Sequence, residues 1–174
     1  EAIESIGEHA FYANYSLKSI SLGNQIKSIG NNAFGECYEL SQLYINDIGA
    51  FCGINFANTE SNPPCRAQHL FVNGVEISEL NIPEGVVKIT DNLFQNLTNI
   101  TSLSISSSVK FIGDNAFSGC TNLASIEISE SSTGIDFGQD VFTNTKWFDN
   151  NNDGVVYLGS VLYKYKGSMP EETN

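Results

Sequence analysis

The chain has 174 residues, and its 41% hydrophobic content is enough to fill the core of one domain. A formal net charge of −12 with only eight Lys and Arg excludes duplex nucleic acid and anionic membrane as partners, since either needs a basic stripe against phosphate. No apolar run approaches the roughly 20 residues that would span a bilayer.

In chain order, Ile6-Gly7 and Ala10-Phe11 are closed by Ile20 and Leu22, and the same pattern then returns. Ile29-Gly30, Ala33-Phe34 and Leu43/Ile45 form the second copy. Leu80/Ile82 close a third, Leu93-Phe94 and Leu103/Ile105 mark a fourth, and Ile112-Gly113, Ala116-Phe117 and Ile126/Ile128 a fifth. From Leu22 onward, the last closing residues advance by 23, 37, 23 and 23 residues. A fixed period in this range predicts a repeat solenoid, whose units cannot bury a core singly and must stack.

Each copy predicts the same local structure. An alternating segment such as Gln25-Ile26-Lys27-Ser28-Ile29 reads as a short strand. Gly then permits a turn that most residues resist. Asn31-Asn32, Asp91-Asn92 and Asp114-Asn115 supply side-chain acceptors to N–H groups at the start of a short helical turn. Ala and Phe face inward on that turn, and Leu-x-x-Ile-x-Ile forms a second strand. Two parallel β ladders follow, with neighbouring strands about 4.8 Å apart. The outward face of the second ladder is Ser19/Ser21, Gln42/Tyr44, Glu79/Asn81, Ser102/Ser104 and Ser125/Glu127, a polar strip free to bind a partner.

The 37-residue step predicts one enlarged coil over 46–82. Pro63-Pro64 marks a loop, and Asn73-Gly74 between apolar alternations a hairpin turn. Tyr44, Phe51, Phe56 and Phe71 are candidates for an aromatic contact patch, with the rings of the insertion expected as its own small core. Beyond Ile128 the repeat loosens. Trp147-Phe148 and a hairpin over Gly154 to Tyr165, turning near Gly159-Ser160, are expected to cap the open end over 147–166. Residues 169–174 read as a polar tail, and 1–168 as a single solenoid. The chain begins inside a repeat, as expected of a monomeric fragment.

Cys37 and Cys120 share one repeat position, filled elsewhere by Asn14 and Leu97, so they are expected as buried free thiols. Cys52 and Cys65 could pair if their Cα atoms approach closely enough. Asp149-Asn150-Asn151-Asn152-Asp153-Gly154 matches the first half of a calcium loop, but position twelve is Ser160, so a polar turn is expected and no metal is assigned. His9 stands where other copies have Asn32, Asn92 and Asn115, which predicts a turn role. A dyad of His69 with Cys52 or Cys65 would need a geometry that nothing in the sequence fixes. Glu76, Glu79 and Glu84 read as solvated surface. Asn-x-Ser/Thr sequons stand at Asn14, Asn96 and Asn99.

The pattern Ile-Gly-x-x-Ala-Phe-x-x-Cys-x-x-Leu-x-x-Ile-x-Ile resembles that of the BspA-like leucine-rich repeat family over essentially the whole chain. Phe51-Cys52, Ser61-Asn62-Pro63, Asn73-Gly74, Ile82-Pro83 and Asp153-Gly154-Val155-Val156-Tyr157 extend the likeness. Departures are Phe51 for Trp, Thr90 for Gly, Leu93 for Ala, and Asn14 and Leu97 for Cys. The resemblance implies a right-handed leucine-rich-repeat coil without catalytic machinery or cofactor, in a secreted or surface-exposed protein associated with adhesion. An extracellular protein or other macromolecule, host matrix included, is the expected partner. The alternative is a structural spacer or carbohydrate-contacting module of a larger surface enzyme.

Overall fold

The computed structural model describes residues 3–129, 131–132 and 134–168, so the expected tail 169–174 lies outside it. The chain first lays down β1 (Ser5–Ile6), β2 (Ser19–Ser21), β3 (Ser28–Ile29), β4 (Gln42–Ile45), helix α1 (Ile48–Cys52), β5 (Asn55–Phe56), β6 (His69–Val72) and β7 (Val75–Glu76). It continues with β8 (Glu79–Ile82), β9 (Lys88–Ile89), β10 (Ser102–Ile105), β11 (Phe111–Ile112), β12 (Ser125–Ile128), β13 (Asp136–Phe137), helix α2 (Lys146–Asp149), β14 (Gly154–Leu158) and β15 (Val161–Lys166). The result is the expected solenoid. Its first ladder comprises the parallel sheets β1-β3-β5 and β9-β11-β13, and its second β2-β4-β6-β7 and β8-β10-β12, parallel except for β7.

Alternation within each strand turns one set of side chains inward, and Leu43, Ile45, Leu80, Ile82, Leu103 and Ile105 are all buried. Along the solenoid centre Phe11 stacks on Phe34 at 5.3 Å, Phe94 on Phe117 at 5.4 Å and Phe117 on Phe142 at 5.5 Å. Burial of each ring contributes about 1.5–3 kcal/mol, and each aromatic pair about 0.5–1.5 kcal/mol more. Between the two stacked series α1 delivers Phe51, 5.7 Å from Phe94, and Phe56 packs against it at 5.8 Å. Both rings therefore belong to the common core rather than to a surface patch.

The short helical turns are realised as consecutive i→i+3 turns. Ala33, Gly35 and Cys37 donate to Gly30, Asn32 and Phe34 of their own coil. The intervening N–H groups of the preceding coil, on His9, Phe11 and Ala13, donate across to Asn31, Ala33 and Gly35. Alternate amides thus serve the coil and the stack, and in five of the turns this demands left-handed backbone at two places. The first is His9, Asn32, Asn92, Asn115 or Asp140, with φ of 51–57°. These are residue types that tolerate that region, which is the turn role expected of His9. The second is Ala13, Glu36, Asn96, Gly119 or Asn144.

Gly30, Gly113 and Gly138, after the first-ladder strands β3, β11 and β13, have a different reason from the expected turn. The φ of Gly30, Gly113 and Gly138 is not positive. A Cβ on Gly30 would lie 2.5 Å from the backbone N of Glu8, on Gly113 2.6 Å from that of Asp91, and on Gly138 2.5 Å from that of Asp114. Coils touch backbone to backbone there, and only hydrogen fits. Asp91 and Asp114 likewise serve the next coil, their Oδ1 atoms accepting from the N–H of Asp114 at 3.0 Å and of Gln139 at 2.7 Å. Thr90 departs from glycine because the first ladder breaks between β5 and β9, leaving a cleft of about 300 Å³ that Thr90 lines.

The segment 46–82 corrects the expectation of one enlarged coil. His69–Val72 pairs in register with Gln42–Ile45, so a complete coil of 27 residues, Ile45 to Val72, stands where a loop was expected. Pro63 and Pro64 are buried in a short 3-10 turn inside it. The Asn73-Gly74 hairpin then turns β7 back against β6, and β8 starts a new sheet. Asn62 and Asn99 tie the halves together. Asn62 Nδ2 donates to the Asn92 carbonyl at 2.8 Å, while Asn99 accepts from the N–H of Leu70 at 3.2 Å and donates to the Ile77 carbonyl.

The hairpin β14-β15 closes the last coil. Leu158 is buried in the common core, and the Tyr163 ring packs on Phe137, Phe142, Trp147 and Phe148. Its hydroxyl accepts the Phe142 N–H at 3.1 Å, a group with no further coil to bond. This is how an open ladder end is capped.

Candidate binding surface

Register places the ten strip residues in two patches. On the first, Ser19 neighbours Gln42 and Ser21 neighbours Tyr44. On the second, Glu79, Ser102 and Ser125 form one row, and Asn81, Ser104 and Glu127 the other. Gln42, Tyr44 and Ser102 are half-buried and the remainder exposed. The β6-β7 hairpin interrupts the ladder between the patches, so the strip is not continuous.

β6 adds residues that sequence reasoning did not place there. His69 extends the Ser19/Gln42 row and Phe71 the Ser21/Tyr44 row. Tyr44 and Phe71 stack with centroids 4.4 Å apart, and the Tyr44 hydroxyl donates to Gln42 Oε1 at 3.2 Å. His69 Nδ1 lies 2.6 Å from Glu76 Oε1, which clips β7 to β6. The signal was present in the parity of His69-Leu70-Phe71-Val72, which repeats that of Gln42-Leu43-Tyr44-Ile45. The aromatic patch is therefore Tyr44 with Phe71, flanked by an amide, an imidazole and a carboxylate.

The BspA type Leucine rich repeat region matches this chain in six copies, over residues 1–60 and 67–152. The chain belongs to the BspA-type leucine-rich repeat family. It is similar to the T. pallidum Leucine Rich Repeat protein, at 22% identity over 83% of this chain and 71% of that one, with a TM-score of 0.47. It is also similar to a leucine rich cell surface protein from Faecalibacterium prausnitzii A2-165, at 23% identity over 74% of this chain and 44% of that one, TM-score 0.39. A leucine-rich repeat protein from Bacteroides ovatus ATCC 8483 matches at 16% identity over 81% of this chain and 46% of that one, TM-score 0.38. The chain thus spans under half of the latter two proteins. No curated protein sequence matches.

The remaining candidate residues of this BspA-type chain have structural duties. Cys37 and Cys120 are buried, as expected, and their thiols donate to the carbonyls of Phe11 and Phe94 one coil back, each at 3.1 Å. Cys52 and Cys65 are free thiols, not a bridge. Burial pushes both up to about 12, so neither is a thiolate nucleophile at neutral pH, and His69 is engaged with Glu76. Glu84 accepts from the Ser107 hydroxyl and N–H, which holds its carboxyl below the usual range.

The calcium-like loop carries its own cation. Lys166 Nζ donates to the carbonyls of Phe148 at 3.1 Å, Asp149 at 2.8 Å and Asn151 at 2.6 Å. Asn151 Nδ2 turns to the Trp147 carbonyl. Among the described residues no cluster of His, Cys, Asp and Glu is arranged to hold a metal ion. Of the sequons, Asn14 is exposed and Asn96 half-buried, whereas the Asn99 amide is committed to the hairpin. No described helix is long and apolar enough to cross a membrane.

Proposed function

We propose that this chain is a non-enzymatic protein-binding module of a secreted or cell-surface protein, with a role in adhesion to an extracellular macromolecule such as a host matrix protein. The observation that carries this reading is the outward face of the second ladder. It presents Ser19, Ser21, Gln42 and Tyr44 on one patch and Glu79, Asn81, Ser102, Ser104, Ser125 and Glu127 on the other, all on rigid strands in register. The five serines of the strip lose little entropy on contact, and the Tyr44–Phe71 stack supplies an aromatic anchor of the kind that dominates interface energies. Broad contact along a solenoid face, rather than one deep pocket, supplies the affinity.

The test is capture of soluble matrix proteins on the immobilised chain, compared with its Glu79→Lys/Ser102→Lys/Glu127→Lys variant and with Tyr44→Ala. The triple variant is expected to bind about tenfold more weakly with an unchanged melting temperature. Binding that survives all of these changes moves the site off the strip and leaves a spacer role.

A further inference from the structure

Between the coil that holds β5 and β6 and the coil that holds β9 and β10, the chain adds β7 and β8 to the second ladder and nothing to the first. The first ladder is therefore interrupted in its middle, with coils on both sides. Gly49 against Pro83 closes one end of the resulting groove, where a Cβ on the glycine would lie 3.5 Å from Pro83 Cγ. Asn92 Nδ2, donating to Thr59 Oγ1 at 3.4 Å, closes the other. Between them two cavities of about 400 and 300 Å³ adjoin at Lys88, each within the range of about 300–1,000 Å³ typical of ligand pockets.

The strand edges that face this groove are unpaired. Elsewhere the ladder bonds from coil to coil: Ala57 N–H donates to the Ile29 carbonyl at 3.0 Å, and Gly113 N–H to that of Ile89 at 2.9 Å. In the same register the N–H groups of Lys88 and Thr90 would meet the carbonyls of Ile54 and Phe56, but no backbone hydrogen bond joins them. Alternate groups of a strand point to opposite edges, so the Phe56 N–H and the Lys88 carbonyl face the gap as well. None of these six groups has a partner among the described residues, and Thr90 Oγ1 beside them is buried and equally unpartnered. Unpaired edges of this kind are templates for a further strand.

Packing points the same way. Ile29, Ile89 and Ile112 are buried on the first ladder, whereas their equivalent Phe56 is half-buried, as are Ile6 and Phe137 on the outermost strands. Phe56 thus has the exposure of a ladder end in the middle of the solenoid.

We propose that this groove binds an extended segment of a partner protein, which completes the first ladder as a parallel strand between β5 and β9. A stretch of about four residues pairs with all six free groups, and main-chain bonds of this kind supply affinity without a fixed sequence. Its side chains alternate. The inward ones are small, since Phe56 and Ile89 already form the floor, and the outward ones reach solvent beside the exposed Asn55 and Lys88. Exposed Glu84 in one cavity and Asp91 in the other select lysine or arginine on both flanks of the segment. The net charge of −12 attracts such a segment from a distance. The groove lies on the first ladder and is independent of the strip on the second.

The test is amide hydrogen exchange by NMR, with and without a six-residue peptide in which two alanine-threonine pairs stand between lysines. In the free chain the amides of Phe56, Lys88 and Thr90 should exchange at least about tenfold faster than those of Ala57 and Gly113, which are bonded within the ladder. Saturating peptide, at about millimolar concentration, should slow the same three amides about tenfold. A peptide N-methylated at the first threonine and second alanine keeps every side chain and charge but loses two main-chain donors, and should bind about tenfold more weakly. Tyr44→Ala, on the strip, should leave binding of the parent peptide within about twofold. Equal protection of the five amides in the free chain overturns the proposal, because the edges would then be closed already. Failure of the peptide to slow the three amides, or equal binding of the N-methylated peptide, overturns it as well.

Discussion

Lys166 Nζ lies 2.6 Å from the carbonyl oxygen of Asn151, inside the loop whose sequence imitates a calcium site. The ammonium also takes the carbonyls of Phe148 and Asp149 and lies 5.4 Å from the Phe148 ring centroid. A cation from the terminal strand does there what a bound ion would do, satisfying oxygens that converge at the end of α2.

Replacing Lys166 by Met keeps the aliphatic stem and strands those oxygens. The expected loss is about 2 kcal/mol of unfolding free energy, read from urea denaturation. In the parent protein millimolar calcium should not move the melting temperature, and a rise of several degrees would refute the internal-cation assignment.

Gly113→Ala forces a Cβ to within 2.6 Å of the Asp91 backbone N, whereas a Cβ on Gly7 meets nothing within 4 Å. The former should cost about 1–3 kcal/mol by overpacking. The latter should be neutral or stabilise by about 0.4–1 kcal/mol through the unfolded chain. Two glycines at one repeat position thus respond with opposite sign. Thr90 belongs to the same position, and its buried Oγ1 has no partner among the described residues. Thr90→Val should therefore raise stability by about 1 kcal/mol. Urea midpoints of the three variants decide the matter.

Burial pushes Cys52, Cys65 and Cys120 from their ordinary value of 9.0 up to about 12. The neutral thiol is the native form, so the unfolded chain releases protons first as pH rises. Stability from this source is complete below pH 9 and is lost progressively between about pH 9 and 12. Each thiol contributes up to about 1.4 kcal/mol per pH unit in that window. Urea midpoints at pH 8 and pH 10.5 should differ accordingly, and the difference should shrink in a Cys120→Ala variant.

Ala13 occupies the second left-handed position of its turn at φ 55°. Strain of about 1–2 kcal/mol for an L side chain exceeds the added entropy of glycine, so Ala13→Gly should stabilise by about 0.5 kcal/mol. Ala10→Gly, in the same turn but outside the left-handed set, should destabilise. Thermal melts of the pair give the comparison.

Much of this molecule was legible in its sequence, because a solenoid repeats one local solution. The parity of Leu43/Ile45, Leu103/Ile105 and their equivalents fixed which strand faces are buried, and the recurrence of Phe11, Phe34, Phe94 and Phe117 fixed the aromatic centre. The shared position of Cys37 and Cys120 implied buried thiols, and Gly154 to Tyr165 implied the terminal hairpin. Local periodicity carries such information because side-chain direction follows backbone period. What needed the tertiary structure were contacts between coils, which no period encodes. Glycine after Ile112 answers to Asp91 one coil away, not to its own φ. Lys166 meets a loop fifteen residues before it in the chain. The prolines of 46–82 concealed a full coil whose strand, His69–Val72, brings Phe71 onto Tyr44 and divides the strip in two. A residue's neighbours along the chain fix its orientation, but only stacking of one coil on the next decides what it touches.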